Sequence, residues 1–105
     1  MSVALNRKEG PDGDIDFSIP IATTRFFVQY WDIAIEELGL KLIQENAYFG
    51  KDKLKDVLRE LAMLKEWAIK NLDGKELDYM KSRVEDLEEG IPGAFDQDDT
   101  VLYIF

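Results

Sequence analysis

The spacing of apolar residues changes along this chain, and this change constrains the fold more than any other feature. Between residues 14 and 21 apolar and polar side chains alternate, whereas three later segments carry apolar residues every three or four positions. The alternating residues are Ile15, Phe17, Ile19 and Ile21. A period of two predicts a half-buried strand, and a period of three to four predicts amphipathic helices.

A second strand is predicted at residues 2–7, where Val3 and Leu5 alternate with other residues. Residues 9–13 lie between the two strands and contain the Gly and Pro residues that favour a chain reversal. We therefore predict an antiparallel hairpin. Pro20 has no N–H to donate to a ladder, so it either ends the second strand or lies on a sheet edge.

Two amphipathic helices follow the hairpin. The first is predicted to begin at Thr23 or Thr24, whose hydroxyls can cap it, and to end at Gly39 in a left-handed turn. The second is predicted to begin with Asp52 as its cap and to end at about Asn71. The apolar positions are Phe26, Phe27, Tyr30, Trp31, Ala34, Ile35 and Leu38 in the first helix and Leu54, Val57, Leu58, Leu61, Leu64, Ala68 and Leu72 in the second.

A third helix is predicted to begin near Asp73, which has the capping-box spacing with Glu76, and to end at Gly90 and Pro92. Its apolar positions are Leu77, Met80, Val84 and Leu87. In residues 40–49 the apolar Leu40, Leu42 and Ile43 fit either a short strand or an irregular connection, so no element is predicted there. Residues 100–105 are rich in β-branched and aromatic side chains, which predicts a last strand paired with the hairpin.

This order of elements predicts an α+β fold. We expect a single domain over residues 1–105, because a chain of 105 residues supports one core. In it, three helices would pack on one side of a small antiparallel sheet formed by the N-terminal hairpin and the C-terminal strand.

The chain contains neither cysteine nor histidine. Without cysteine there are no disulfides, thiolate nucleophiles or thiolate zinc sites. Without histidine the chain lacks the commonest metal ligand and the side chain best suited to proton transfer near neutral pH. No phosphate-binding loop or nucleophile elbow is present either. We therefore expect that the protein is not an enzyme and that it needs no cofactor and no metal.

Carboxylates offer two weaker alternatives. Asp12, Asp14 and Asp16 have the spacing of the first ligands of a calcium loop, but Phe17 and Thr23 stand where that loop has its glycine and its glutamate. An acid–base pair of carboxylates is also conceivable among 22 acidic residues. Such a pair requires one carboxylate in an apolar environment and the other in a polar one. Nothing in the sequence indicates this difference.

The distribution of charge is uneven. The net charge is -9, and residues 73–105 contain ten acidic residues against three basic ones. Nucleic-acid binding depends on Lys and Arg contacts to phosphates, so we expect no nucleic-acid partner and favour a basic protein partner. No secretory signal or membrane-spanning segment is predicted, so the expected location is cytoplasmic.

The acidic C-terminal third has two interpretations, a docking surface for a basic partner and a solubilising surface. The predicted contact residues are Glu85, Asp86, Glu88, Glu89, Asp96, Asp98 and Asp99, with Tyr48 and Phe49 as an apolar anchor. Trp31 and Trp67 are candidates for binding hot spots, but their positions on or beside apolar helix stripes favour core packing.

Three segments of this chain, together with its acidic loops, form a pattern that resembles the small acidic immunity proteins of bacterial polymorphic and contact-dependent toxin systems. These segments are residues 33–38, residues 61–67, and residues 83–87 with the following Ile91 and Pro92. The resemblance implies a protein that binds a cognate toxin tightly, often a nuclease, and blocks its active site or holds it inactive. It implies no catalytic residues.

Other functions remain open on the sequence. One is a structural or regulatory subunit of a larger assembly, or a homodimer formed through a strand edge or a helix face. Another is a small carboxylate enzyme or metal binder. An adjacent toxin-like reading frame would favour the immunity function over both.

Overall fold

The computed structural model describes residues 1–8 and 13–105. Within these residues a four-stranded antiparallel sheet accompanies three helices, which confirms the α+β class. The strands are β1 (Ser2–Lys8), β2 (Ile15–Thr23), β3 (Tyr48–Gly50) and β4 (Val101–Ile104), and the helices are α1 (residues 24–38), α2 (Leu54–Asn71) and α3 (Gly74–Ala94). Residues 9–12, which hold most of the predicted turn and Asp12 of the calcium-like spacing, lie outside the described residues.

The predicted hairpin is confirmed. β1 and β2 are antiparallel neighbours, paired from Ser2 opposite Thr23 to Lys8 opposite Ile15. The strand order is β2-β1-β4-β3, so β2 lies on an edge of the sheet. Pro20 therefore lies within an edge strand and does not end it. An edge strand has a hydrogen-bonded neighbour on one side only, so a residue without an N–H is tolerated there.

The sheet contains one more strand than the sequence predicts. β4 pairs with β1, as expected, with Leu5 opposite Ile104. Its other side pairs with β3, with Phe49 opposite Leu102. β3 falls at the end of the segment for which no element is predicted. The loop before it is joined to β4 by two hydrogen bonds, from the Asn46 N–H to the Ile104 carbonyl at 2.7 Å and from the Ile104 N–H to the Ala47 carbonyl at 2.9 Å.

The first helix begins and ends as predicted, but its interior is irregular. The Thr23 hydroxyl accepts a hydrogen bond from the Phe26 N–H at 3.2 Å, and Gly39 follows the helix with φ 69°. Between two α-helical segments, Thr24–Phe26 and Asp32–Leu38, the chain forms a π-helical turn. This wider turn directs Phe27 and Trp31 inward, where their rings stack with centroids 5.7 Å apart. The expected core position of Trp31 is thus confirmed.

The starts of the other two helices differ from prediction in detail. Asp52 lies in a 3-10 turn, Lys51–Lys53, and does not cap α2, whose N-cap residue Lys53 makes no side-chain cap bond. Asp73 occupies the N-cap position of α3, as predicted, but its side chain makes no cap bond either. The end of α2 at Asn71 is confirmed.

The predicted end of the third helix is wrong. α3 continues through Gly90 and Pro92 to Ala94. Gly90 serves close packing, because a Cβ atom there would lie 2.5 Å from Cδ1 of Ile19 on β2. Pro92 lies in the last turn, where its missing N–H removes only one intrahelical bond. The Arg7 side chain also donates a hydrogen bond to the carbonyl of Ala94 at 3.1 Å, which satisfies an acceptor at the end of the helix.

The core contains buried side chains from every strand and from all three helices of the described chain. On β2 the predicted alternation holds, with Ile19 and Ile21 buried, whereas Ile15 is exposed near the hairpin end. Trp67 is also a core residue, and its indole N–H donates a hydrogen bond to the Glu37 carboxylate at 3.0 Å. No described helix is both long enough and apolar enough to cross a membrane.

Candidate protein-binding surface

The four predicted contact acids of α3 lie along two edges of the helix. Glu85 and Glu88 face α2, where Lys65 Nζ lies 3.7 Å and 2.6 Å from their respective carboxylates. Asp86 and Glu89 face β2. Residues three apart lie on the same helix face, which explains this division into two pairs.

Lys65 only partly neutralises the first pair. Its hydrogen bond to Glu88 is the main reason that its pKa lies above the ordinary value of 10.5, and the charge of Glu85 adds to this effect. One ammonium group therefore serves two carboxylates. The pair keeps a net negative charge at neutral pH.

The acidic loop between α3 and β4 begins at Asp96, which contacts Arg7 of β1. Arg7 Nη1 lies 3.6 Å from the Asp96 carboxylate, and Nε lies 3.1 Å from that of Asp16. The same guanidinium lies 5.1 Å above the ring centroid of Phe17. Arg7 thus connects the end of α3 to β2 and holds Asp96 in place.

The remaining loop acids point into solvent. Asp98 is fully exposed, and its carboxylate lies 3.3 Å from Lys51 Nζ. Asp99 is exposed and takes part in no ion pair found within residues 1–8 and 13–105. The loop itself is shaped by the Thr100 hydroxyl, which donates to the Asp96 carboxylate at 3.0 Å and accepts from the Gln97 N–H at 3.3 Å.

The protein's own bases neutralise part of this acidic surface. Four bases, Arg7, Lys51, Lys65 and Arg83, contact five of the seven predicted acids. Glu89, like Asp99, has no ion pair among the residues that the structure describes. Exposed ion pairs contribute at most about 1 kcal/mol each, so a partner's charges can replace them at small cost. A negative excess remains.

The predicted apolar anchor divides between the surface and the core. Tyr48 is 69% exposed, whereas Phe49 is 3% exposed and packs against Phe95 with ring centroids 6.2 Å apart. Successive residues of a strand point to opposite sides, so both could not face solvent. In this structure Phe49 is a core residue, and it does not offer the contact surface predicted for it.

The sequence did not single out Tyr103 or Phe105, two aromatic residues in and just after β4. The ring centroids of Tyr48 and Tyr103 are 6.1 Å apart, and Phe105 is 43% exposed. Lys8 Nζ lies 5.0 Å and 5.2 Å from the ring centroids of Tyr103 and Phe105. We call Tyr48, Tyr103 and Phe105 the aromatic sheet face. Alternation with the buried Leu102 and Ile104 was the signal available in the sequence.

A groove runs between β2 and α3, and we call it the β2–α3 groove. Its lining residues are Phe17, Ile19, Asp86, Glu89, Gly90 and Gly93. The two elements are antiparallel, because the Thr23 N–H donates to the Tyr79 hydroxyl at 3.1 Å at one end, whereas Arg7 joins them at the other. Gly90, where a Cβ atom would lie 2.5 Å from Cδ1 of Ile19, was the sequence signal for this close approach.

The buried carboxylate of Glu60 stabilises the loop that leads to β3. Its Oε1 accepts hydrogen bonds from the Leu42 and Ile43 N–H groups at 3.0 Å and 2.9 Å, and its Oε2 accepts from the Lys41 N–H at 3.2 Å. Glu60 lies between Val57 and Leu64 on the buried stripe of α2. All the hydrogen bonds of its carboxylate to residues that the structure describes come from backbone N–H groups, so its role is to fix the loop before the aromatic sheet face.

Comparisons with protein-family models, curated proteins and solved structures gave no match to this chain. Across residues 1–8 and 13–105, no three His, Cys, Asp or Glu side chains come together as a possible metal site.

Proposed function

We propose that this protein is a protein-binding module and specifically an immunity protein that neutralises a cognate bacterial toxin. A nuclease is the toxin class that best fits an acidic inhibitor, because the inhibitor's carboxylates can take the place of substrate phosphates. The pattern-level resemblance to acidic immunity proteins also supports this proposal. The cytoplasm, where such a toxin would act, is the proposed location.

The observation that carries the proposal is the excess of exposed carboxylates on α3 and the loop after it. Seven acids face four of the protein's own bases, and Glu89 and Asp99 have no ion pair in the described part of the chain. Like charges held together repel one another, and a basic partner relieves that repulsion. Such complementarity accelerates encounter and makes its rate depend on salt.

We also infer that all three helices cover the same side of the sheet. The aromatic sheet face would then lie on the opposite side, with Tyr48 as its most exposed ring. It offers an apolar contact area separate from the acidic surface.

The test uses the product of an adjacent toxin-like reading frame as the partner. Association is followed by stopped-flow fluorescence at several ionic strengths for the wild type and for the triple variant Glu89→Lys, Asp98→Lys and Asp99→Lys. We expect the variant to associate at least about tenfold more slowly at low salt and to show a flatter salt dependence. Co-expression should then protect growth less well.

The matched control is the triple variant Asp32→Lys, Glu36→Lys and Glu66→Lys, which changes the net charge equally at exposed positions on α1 and α2. It should retain most of the association rate. Equal slowing by both triple variants would show that only net charge matters, and an unchanged rate in the first would remove the acidic surface from recognition.

A second candidate function is that of a homodimer or a subunit of a larger assembly. The exposed Tyr48 on the edge strand β3 favours it, because an unpaired edge beside an apolar face can pair with another chain. Sedimentation of the wild type and of Tyr48→Glu separates the two candidates. A dimer that Tyr48→Glu dissociates supports the second, and a monomer at all concentrations rules out the homodimer.

A further inference from the structure

We propose that the β2–α3 groove receives an arginine side chain from the basic protein partner. This inference rests on the function proposed above. It assigns the central contact of the acidic surface to one place, between the edge strand and the third helix.

The lining of the groove suits the aliphatic part of an arginine. Phe17 is partly exposed, and Ile19 lies beneath Gly90 of α3. Gly93 presents no side chain, and a Cβ atom there would meet nothing within 4 Å, so the helix wall leaves space at this point of the groove. The three methylene groups of an arginine can lie along such a surface while the charged end stays accessible to solvent.

The rim suits the charged end. Asp86 and Glu89 are three apart on α3 and border the groove together, so one guanidinium with five donors can reach both carboxylates. The protein's own bases neutralise these two carboxylates only weakly. Arg83 Nη1 lies 4.0 Å from the Asp86 carboxylate, and Glu89 has no ion pair within the described ranges.

The protein already binds one of its own arginines in this way at the end of the same groove. Arg7 lies over the Phe17 ring at 5.1 Å and contacts Asp16 from β2 and Asp96 from the chain after α3. An apolar ring and carboxylates from both walls thus hold a guanidinium there. The Asp86–Glu89 part of the groove also has two carboxylates beside apolar side chains, although here both carboxylates come from α3.

Charge decides between possible occupants. A second copy of this chain carries a net charge of -9, so its approach to an acidic rim is repelled. A basic protein segment is attracted. Arginine suits two carboxylates better than lysine, because its planar fork donates to both at once, whereas an ammonium group acts as a point charge.

The test is an NMR titration of the full-length ¹⁵N-labelled protein at low salt. The probe is the acetylated and amidated peptide Gly-Arg-Gly, and its neutral isostere carries citrulline in place of arginine. We expect saturable shifts at the amides of Gly90, Gly93 and Ile19 with the arginine peptide. The citrulline peptide should bind at least about tenfold more weakly.

Gly93 offers a steric test with a matched control. A Cβ atom at Gly93 meets no atom within 4 Å, so both Gly93→Leu and Gly93→Ala should fold, which the melting temperature checks. Gly93→Leu should fill the groove and weaken binding of the arginine peptide at least about tenfold. Gly93→Ala should bind the peptide nearly as the wild type does.

Three results would overturn the inference. The first is shifts spread equally over Glu85, Asp98 and Asp99 without saturation. The second is equal binding of the citrulline peptide, and the third is groove shifts that appear with rising protein concentration and no peptide, which would make a second copy the occupant.

The outcome is separable from that of the proposed function. If Gly93→Leu binds the toxin normally while the charge-reversed variant does not, the groove inference is wrong and the immunity function stands. If the groove binds the arginine peptide selectively but no toxin is bound, the groove stands and the immunity function is wrong.

Discussion

Removing one oxygen acceptor from Glu60 tests how the loop before β3 is held. Glu60 is 9% exposed and accepts hydrogen bonds from the N–H groups of Lys41, Leu42 and Ile43. In Glu60→Gln the remaining oxygen can keep the bonds to Leu42 and Ile43, whereas the new NH₂ group faces the Lys41 N–H. The variant therefore keeps the shape of the side chain and places a donor against a donor.

The expected cost follows from these bonds. A hydrogen bond to a charged group contributes about 1.5–3 kcal/mol and one between neutral groups about 0.5–1.5 kcal/mol. Two bonds are weakened and one is lost, but Lys41 is exposed enough for water to replace part of the loss. We expect Glu60→Gln to lower the free energy of unfolding by about 2–3 kcal/mol.

Urea denaturation measures this loss of stability, and amide hydrogen exchange shows which part of the structure loses it. The urea midpoint should fall by about 1–2 M, and the amide of Ile43 should exchange roughly 30-fold faster or more. The control is Glu66→Gln on the same helix, where Glu66 is 67% exposed and, among the described residues, has its ion pair with Lys70. That change should cost about 0.5 kcal/mol or less. If the two variants cost the same, the Glu60 bonds do not stabilise the loop.

Two further perturbations test the packing of the helices. Lys65→Met should lower stability by about 1 kcal/mol at neutral pH. Since Glu88 raises the pKa of Lys65, that difference should be full below pH 10.5 and disappear as the pH rises through the raised value, which urea unfolding between pH 7 and 11.5 measures. Trp31→Phe should cost about 1 kcal/mol less than Trp67→Phe by the same assay, because the Trp31 indole N–H has no partner among the described residues whereas that of Trp67 bonds Glu37. Equal costs would contradict this reasoning.

The elements that the sequence predicted well depend on local signals. The alternation in β2, the Thr23 cap and the left-handed Gly39 each act within a few residues. β3 has no such signal, because a strand of three residues is too short to show a period. Its existence depends on β4, which is distant in the chain and pairs with it. Phe49 was misplaced for the same reason.

The acidic surface shows the same division between local and distant information. Counting charges located the excess on residues 73–105, and the helical spacing separates the two edges of α3. Which carboxylates are neutralised depends on bases from other elements. Lys65 comes from α2 and Arg7 from β1, so no pattern within α3 could show that Glu89 is free of these pairs.

Gly90 and Gly93, the two glycines that line the groove from α3, differ in their surroundings. A glycine inside a helix costs about 1 kcal/mol relative to alanine. Packing explains Gly90, since a Cβ atom there would meet Ile19. Packing does not explain Gly93, where a Cβ atom meets nothing within 4 Å. Gly93 lines the β2–α3 groove, and a bulky side chain there, unlike the single methyl group of alanine, would fill the space proposed for the partner's arginine.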